Sequence, residues 1–380
     1  ACICDVDAQV LDATTLMVQE EYGYLPEAEA DVRKVLENKD VDALVIAAPD
    51  HWHAPASIMA MQAGKHVYVE KPCGHNPQEG EWLIEAQERY GKVLQMGNQQ
   101  RSSDENIEII REIRSGLIGE TYEAIAWYAN SRGSIGTGKK VAVPEWLDWE
   151  LWQGPAPRQD YRDNLVHYNW HWFWHWGTGE ACNNATHEVD IARWALAVDY
   201  PETVSVRADR HFFKNDDWEM YDTMHAAWGF PGGKTITWEG HSCNSMLRWG
   251  RGRGTVVYGT QGTVLMDRNG YELYDLNGQL IKEVTAESRS ATTDLVGAGG
   301  LDDKHVHNFL ETIRGNTAQQ NSPIGEGHKS VLLCHLANMA YRTDSQLVCD
   351  PKNGRVKNNE ATSTLWNRQY EKGWELKKFM

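Results

Sequence analysis

The chain has no uninterrupted apolar run approaching the ~20 residues that a bilayer-spanning helix needs, so no membrane segment is expected. Basic residues are in short supply: 37 Lys and Arg stand against 54 Asp and Glu, a formal net charge of −17. Nucleic acids and anionic membrane surfaces are bound through basic patches, so neither is expected as a partner. The arginine-rich stretch from Arg248 to Arg253 is short and diluted by glycine. Paired cysteines are missing too. The seven present (Cys2, Cys4, Cys73, Cys182, Cys243, Cys334 and Cys349) are odd in number, scattered and without C-x-x-C spacing. That argues against a disulfide framework or a structural zinc site and for free core thiols. No internal repeat or low-complexity segment is visible. The first residue is Ala1 rather than Met, and residues 1–6 already read as a strand. A natural start is therefore expected to be missing. The compartment stays open: cytoplasmic, or periplasmic if an exported precursor has lost its signal.

What is present is an ordinary globular composition, 41% hydrophobic and 24% charged over 380 residues, enough for two cores. The first third alternates strands with helices. Strands are expected at 1–6, 41–48, 65–70 and 92–96, and helices at 28–37, 54–63, 77–90 and 103–115. Short apolar strands separated by helices imply parallel βαβ units, hence a doubly wound domain. Beyond Gly119 the pattern becomes β-rich, with strands expected at 121–129, 204–213, 221–230, 235–241, 255–259, 263–267 and 271–275. Asn269-Gly270 and Asn277-Gly278 are hairpin turn signals, because glycine takes positive φ without steric cost. Helices are expected at 180–197, 302–314 and 327–342. A mostly antiparallel sheet with helices on one face fits this half.

Several clusters could carry chemistry. Residues 66–69 alternate like a buried strand and deliver Glu70 and Lys71 onto Pro72, which has no N–H and ends the ladder. Carboxyl ends of parallel strands are where such sheets bind ligands; a solvated surface ion pair is the plain alternative. Residues 47–53 end the preceding strand on the same rim, with Pro49 and His53 among them. Asp5 ends the first strand, where dinucleotide-binding domains set an acid against ribose hydroxyls; a helix cap is the alternative. In 177–190 a helix would put Asn183 and His187 on one face with Asp190 beyond. His187 reads as a general base or as a core histidine. Residues 167–176 alternate His and Trp. The spacing suits an extended aromatic segment better than a metal site, which would need organised partners. Tryptophan faces also stack on sugars. The Gly250–Gly254 run resembles a phosphate loop but precedes a strand, so it lacks the helix N-terminus that holds a pyrophosphate.

Together these residues resemble the Gfo/Idh/MocA family of NAD(P)-dependent sugar oxidoreductases (glucose–fructose oxidoreductase and inositol dehydrogenase). The likeness rests on Ala63 to Val67 with Glu70-Lys71-Pro72, on Pro49 and His53, on Trp152-Gln153-Gly154-Pro155-Ala156-Pro157, and on the turn into the His187 helix. Segments 238–244 and 338–342 also look like one branch of the family. The resemblance implies a Rossmann-like doubly wound parallel sheet over 1–119. A mostly antiparallel α+β substrate-binding and oligomerisation domain follows over 120–345, then an extension over 346–380. It implies Lys71, His187 and Asn183 as catalytic residues, with Lys71 stabilising alkoxide character and His187 taking the hydroxyl proton. Cofactor contacts would come from Asp5, Ala48, Pro49 and His53, and from Glu70, Lys71, Asn98 and Trp152. Substrate contacts would come from Arg101, Trp170, His171, Asn183 and His187. No metal is implied. NAD is expected rather than NADP, since an acid at Asp5 repels a 2′-phosphate. Homodimers or homotetramers are common in the family.

Three departures stand out. Asn183 occupies a position where much of the family has aspartate, His171 one where arginine is common, and the glycine fingerprint that cradles the pyrophosphate is absent. Three functional classes follow: a dehydrogenase of a secondary hydroxyl on a sugar, glycoside or inositol; a redox-neutral enzyme retaining NAD, such as a glycosidase or lyase; and a sugar-binding relic without turnover. A shortened βαβ unit would leave the strand next to the missing one with an unpaired edge. The chain as written is therefore expected to bind NAD weakly and to be of low stability; calorimetric titration showing tight binding would overturn that.

Overall fold

The computed structural model describes residues 1–286 and 300–376. Its first part runs β1 (Cys2–Cys4), α1 (Ala8–Tyr22), β2 (Glu27–Glu29), α2 (Val32–Glu37), β3 (Ala43–Ile46), α3 (Asp50–Gln62), β4 (His66–Val69), α4 (Pro77–Tyr90), β5 (Leu94–Met96) and α5 (Asp104–Arg114). Local chemistry sets the helix ends. The Asp7 carboxylate accepts from the N–H groups of Gln9 and Val10 to open α1, and Asn76 accepts from Glu79 to open α4. Gly23 and Gly91 close the same helices with φ of 73° and 61°, a conformation that favours glycine. The helix expected over 28–37 is split: Glu27 to Glu29 pair in parallel with Cys2 to Cys4, and Asp31 caps a shorter α2. Helix α1 went unread because it buries no residue and so shows no apolar stripe. Helix α3 starts at Asp50, ahead of Ala54, since its polar first turn is buried as well.

The parallel strands form two sheets, β1–β2 and β3–β4–β5, a Rossmann-type arrangement. No described strand joins β1 to β3, and Val45 in the middle of β3 is 61% exposed. The carboxyl end of β4 carries Glu70 and Lys71, while Ala47 to Pro49 continue β3 beside it.

The second part contains β6 (Thr121–Ser131), α6 (Trp149–Gln153), α7 (Thr186–Leu196), β7 (Thr203–Asp209), β8 (Thr223–Gly229), β9 (Thr235–His241), β10 (Cys243–Asn244), β11 (Arg253–Gly259), β12 (Thr263–Asp267), β13 (Gly270–Tyr274), β14 (Leu280–Thr285), α8 (Leu301–Arg314), α9 (Ile324–Arg342) and β15 (Leu347–Val348). Its sheet runs β14-β13-β12-β11-β6-β9-β8-β7-β15, with β10 pairing β6. Only the β6–β9 pairing is parallel among these described strands. Helices α7 and α9 cover one face, burying Val189, Leu333 and Leu336 with Trp228, Trp238 and Val257. Helix α9 also packs on α4, and Gly80 makes that approach possible: a Cβ there would lie 2.1 Å from His328 Nδ1.

A third cluster is built of tryptophan. Trp149 stacks on Trp152 at 4.8 Å between ring centroids, and Trp172 on Trp218 at 4.3 Å. This packing corrects the extended conformation expected for 167–176. Residues Asn169–Trp172 form a 3-10 turn instead, because Trp170 and Trp172 are both buried and cannot point to opposite faces of a strand. The tail is no mere extension either. It returns to the N-terminal part, where Arg368 Nε and the Tyr370 hydroxyl donate to Glu79 Oε1 at 2.9 and 2.7 Å. Leu376 is buried in that core, and the last four residues of the expected 346–380 segment lie outside those described. Cys73, Cys182, Cys334 and Cys349 are buried thiols, whereas Cys4 is exposed. Among the described residues no helix is long and apolar enough to cross a membrane.

Candidate active site

The site forms where the strand ends of the first part meet the helical face of the second. From β4 come Glu70 and Lys71, and from the first turn of α3 Asp50 and His53. The chain then enters from the other side at Gly177–Glu180. Gly179 takes φ of 69°, and a Cβ there would sit 2.6 Å from Met220 Sδ. Residues Ala181–Ala185 form a π-helical turn that runs directly into α7; such bulges are frequent at functional sites. It presents Asn183 and Asn184 to a cavity of about 450 Å³, with His187 following on α7. Trp170 and His171 close one wall, stacked at 3.6 Å and 19°. Asn130 and Arg132 from the end of β6 and Arg253 from the start of β11 close the others.

Lys71 Nζ donates to Asn183 Oδ1 at 2.9 Å. Burial depresses the Lys71 pKa, against the pull of Glu70 and Asp50. Burial also raises Glu70, whose Oε1 accepts from Gln99 Nε2 at 2.8 Å. His187 is buried, and burial together with the cations Arg268, Arg253 and Lys71 holds its imidazole well below the usual range. It is therefore neutral at pH 7, and no hydrogen bond among the described residues engages its ring. A neutral imidazole beside a fixed ammonium can accept a proton while the ammonium stabilises the oxygen that loses it.

Glu180 organises this face. It is 1% exposed, accepts from Arg132 Nε at 2.8 Å and Ser242 Oγ at 2.9 Å, and bonds the side-chain amides of Asn183 and Asn184. The Arg132 guanidinium then donates to the Tyr168 hydroxyl at 2.7 Å. Glu188 similarly holds Arg253 through two bonds of 2.8 and 3.0 Å.

A second cavity of about 440 Å³ adjoins the first, sharing Ala47, Ala48 and Trp170. Asp5, Asp31, Pro49 and Trp152 line it. Two carboxylates at the strand-end rim suit the hydroxyls of a ribose, and the small Ala47-Ala48 stretch lets a flat ring lie close to the backbone. These residues fit an NAD molecule whose reactive end reaches the Lys71 cavity.

Most of the expected site residues therefore converge: Ala48, His53, Glu70, Lys71, Trp170, His171, Asn183 and His187 on the first cavity, Asp5, Pro49 and Trp152 on the second. Two do not. Arg101 was expected to touch substrate, but its guanidinium is 5% exposed and bound at both nitrogens to Asp190, at 2.7 and 2.8 Å, outside the cavity. Asn98 was expected to touch cofactor, yet it lines neither cavity; both its side-chain polar atoms are buried without a partner. His53 reaches the cavity wall with both ring nitrogens facing carbonyls, of Pro72 at 2.5 Å and Ala48 at 2.7 Å. It clips two strand ends together, leaving no ring nitrogen for a cofactor.

Four residues escaped the sequence reading: Asp50, Arg132, Glu180 and Arg253. Arg253 lies in the glycine-rich run set aside as a false phosphate loop. Gly254 beside it has no room for a side chain, a Cβ lying 2.6 Å from Trp127. Among the described residues no cluster of three His, Cys, Asp or Glu could hold a metal ion.

A parallel βα half opening on a cleft, joined to a large sheet that brings Lys, Asn and His to that cleft, defines a two-domain nicotinamide-dependent oxidoreductase. Residues 2–98 match the model of an oxidoreductase family with an NAD-binding Rossmann fold, and residues 121–263 match that family's C-terminal alpha/beta domain. The chain belongs to this Gfo/Idh/MocA oxidoreductase family, and its cofactor is NAD. Solved structures share the fold. The aldose–aldose oxidoreductase of Caulobacter crescentus, complexed with glycerol, is 19% identical with a TM-score of 0.67 over 92% of this chain and 91% of that one. A levoglucosan dehydrogenase in complex with NADH and levoglucosan is 16% identical with a TM-score of 0.68 over 91% and 89%. Among curated relatives, a glycosyl hydrolase family 109 protein of Shewanella pealeana is 31% identical over 130 residues. The alpha-N-acetylgalactosaminidase of Shewanella oneidensis is 29% identical over 130 residues. Both matches span 33% of this chain and only 28% of those relatives' length.

The Arg101–Asp190 pair is structural, so Arg101→Ala strands a buried carboxylate. Urea denaturation of that variant is expected to show a loss of about 3–5 kcal/mol, while the folded fraction keeps its KM for substrate.

Proposed function

We propose that the chain oxidises a secondary hydroxyl of a sugar, glycoside or polyol. The observation that carries this reading is the 2.9 Å contact between Lys71 Nζ and Asn183 Oδ1 in the cavity that also holds a neutral His187. NAD, when bound, supplies a hydride acceptor at its nicotinamide ring. Lys71 donates a hydrogen bond to the reacting oxygen and stabilises the negative charge that grows on it. His187 accepts the hydroxyl proton as the carbinol becomes a carbonyl. Asn183, itself fixed by Glu180, aims the Lys71 ammonium and cannot act as a base. The stacked Trp170–His171 pair offers a flat face for the C–H side of a sugar ring, and Asn130, Asn184 and Arg132 offer partners to its hydroxyls.

A second reading is redox-neutral glycoside cleavage, with oxidation and re-reduction on retained NAD. It is supported by the likeness to glycosyl hydrolase family 109 relatives. Lys71 and His187 would serve both readings, because both begin by oxidising a hydroxyl.

The test is a panel of polyols and glycosides with saturating NAD, following NADH and released aglycone together. NADH accumulation supports the first reading, and aglycone release without free NADH the second. Lys71→Ala and His187→Ala are each expected to lower kcat/KM by about 10²–10⁴-fold. Full activity in either variant would overturn the mechanism.

A further inference from the structure

The amide of Asn183 holds the Lys71 ammonium but can neither balance its charge nor take its proton. The acids nearest the cavity are differently occupied. Glu180 is bonded to Arg132 and Ser242, and Glu70 to Gln99 and the Lys71 backbone N–H. Asp50 is different. It opens α3, is 3% exposed, and lines the same cavity as Lys71. Its Oδ2 accepts from the Thr178 hydroxyl at 2.5 Å, and no ion pair reaches it among the described residues. Thr178 is itself anchored, its carbonyl accepting from Asn338 Nδ2 at 2.8 Å.

Building on the proposed function, we infer that Asp50 is the positioning carboxylate that keeps Lys71 protonated, supplying from α3 the charge that Asn183 lacks. Each of the two groups acts on the other. The Asp50 charge favours the Lys71 ammonium against the burial that depresses it. Burial raises Asp50 to about 6, opposed by Thr178 and Lys71 and reinforced by Glu79. The other groups facing Lys71 are Glu70 on β4, Glu180 before α7, Arg253 on β11, and the rings of His53, His171 and His187. Burial lowers His53 to about 4 and His171 to about 3, so both rings are neutral where Asp50 titrates. The Asp50 carboxylate is charged above a pH of about 6 and lost below it. The activity that depends on a charged Lys71 should fall with it.

Two readouts test this. The first is turnover: kcat/KM of the wild type should fall as pH drops through about 6 and fall again where Lys71 loses its proton. Asp50→Asn should erase the acid limb and move the alkaline limb to lower pH. Thr178→Val, which removes the donor and keeps the carboxylate, should move the acid limb to higher pH. The second readout needs no turnover: the rate at which an amine-reactive acylating reagent labels Lys71, followed by mass spectrometry against pH. Asp50→Asn should shift that profile to lower pH by about one unit, a tenfold gain in labelling at fixed pH. An unshifted labelling profile in Asp50→Asn would overturn the inference, whatever the turnover result. A wild type that oxidises no member of the panel would instead remove the functional reading, and the labelling profile would still judge Asp50.

Discussion

A buried ammonium is stable only if polar groups fixed around it replace the water it has lost. Lys71 sits under that constraint, and much of the site follows from it. Its strand end can be rigid because β4 is the central strand of β3–β4–β5. Its amide partner comes from the other half of the molecule, 112 residues away, so the two halves must keep their relation for the cavity to exist. The packing of α9 on α4, the tail's bonds to Glu79 and the tryptophan cluster all serve that relation.

Glu180 extends the same logic across the cavity. A carboxylate at 1% exposure has to find donors. Those it finds are the amides and guanidinium that face the cavity, together with Ser242. Satisfying one buried charge therefore orients Asn183, Asn184 and Arg132 at once. The π turn at Ala181–Ala185 carries Asn183 and Asn184 toward Glu180 and then releases the chain into α7, where His187 stands. The neutral imidazole is a consequence of this crowding: three cations and a dry setting oppose its protonation.

The parts legible in the sequence were those fixed locally. The bounds read for Pro77–Tyr90, Thr235–His241 and Thr263–Asp267 coincide with the elements formed. Alternation and proline set the end of the Lys71 strand, and the Asn-Gly turns fell between β12, β13 and β14. What escaped was long-range. Arg101 looked available until its partner Asp190, 89 residues on, was in place. The Arg132–Glu180 and Arg253–Glu188 pairs span 48 and 65 residues and leave no periodic trace. The tryptophan segment misled because alternation in sequence mimics a strand, whereas packing from several sides bends it into a turn.

The account depends most on His187 being a neutral base held beside a charged lysine. The direct measurement is a pH titration of the His187 ring nitrogens by ¹⁵N NMR, with His187→Gln used to assign the signal. The account predicts neutral-imidazole shifts at pH 7 that persist as the pH is lowered well below the usual histidine range. An imidazolium that titrates at the ordinary value of about 6.5 would contradict it.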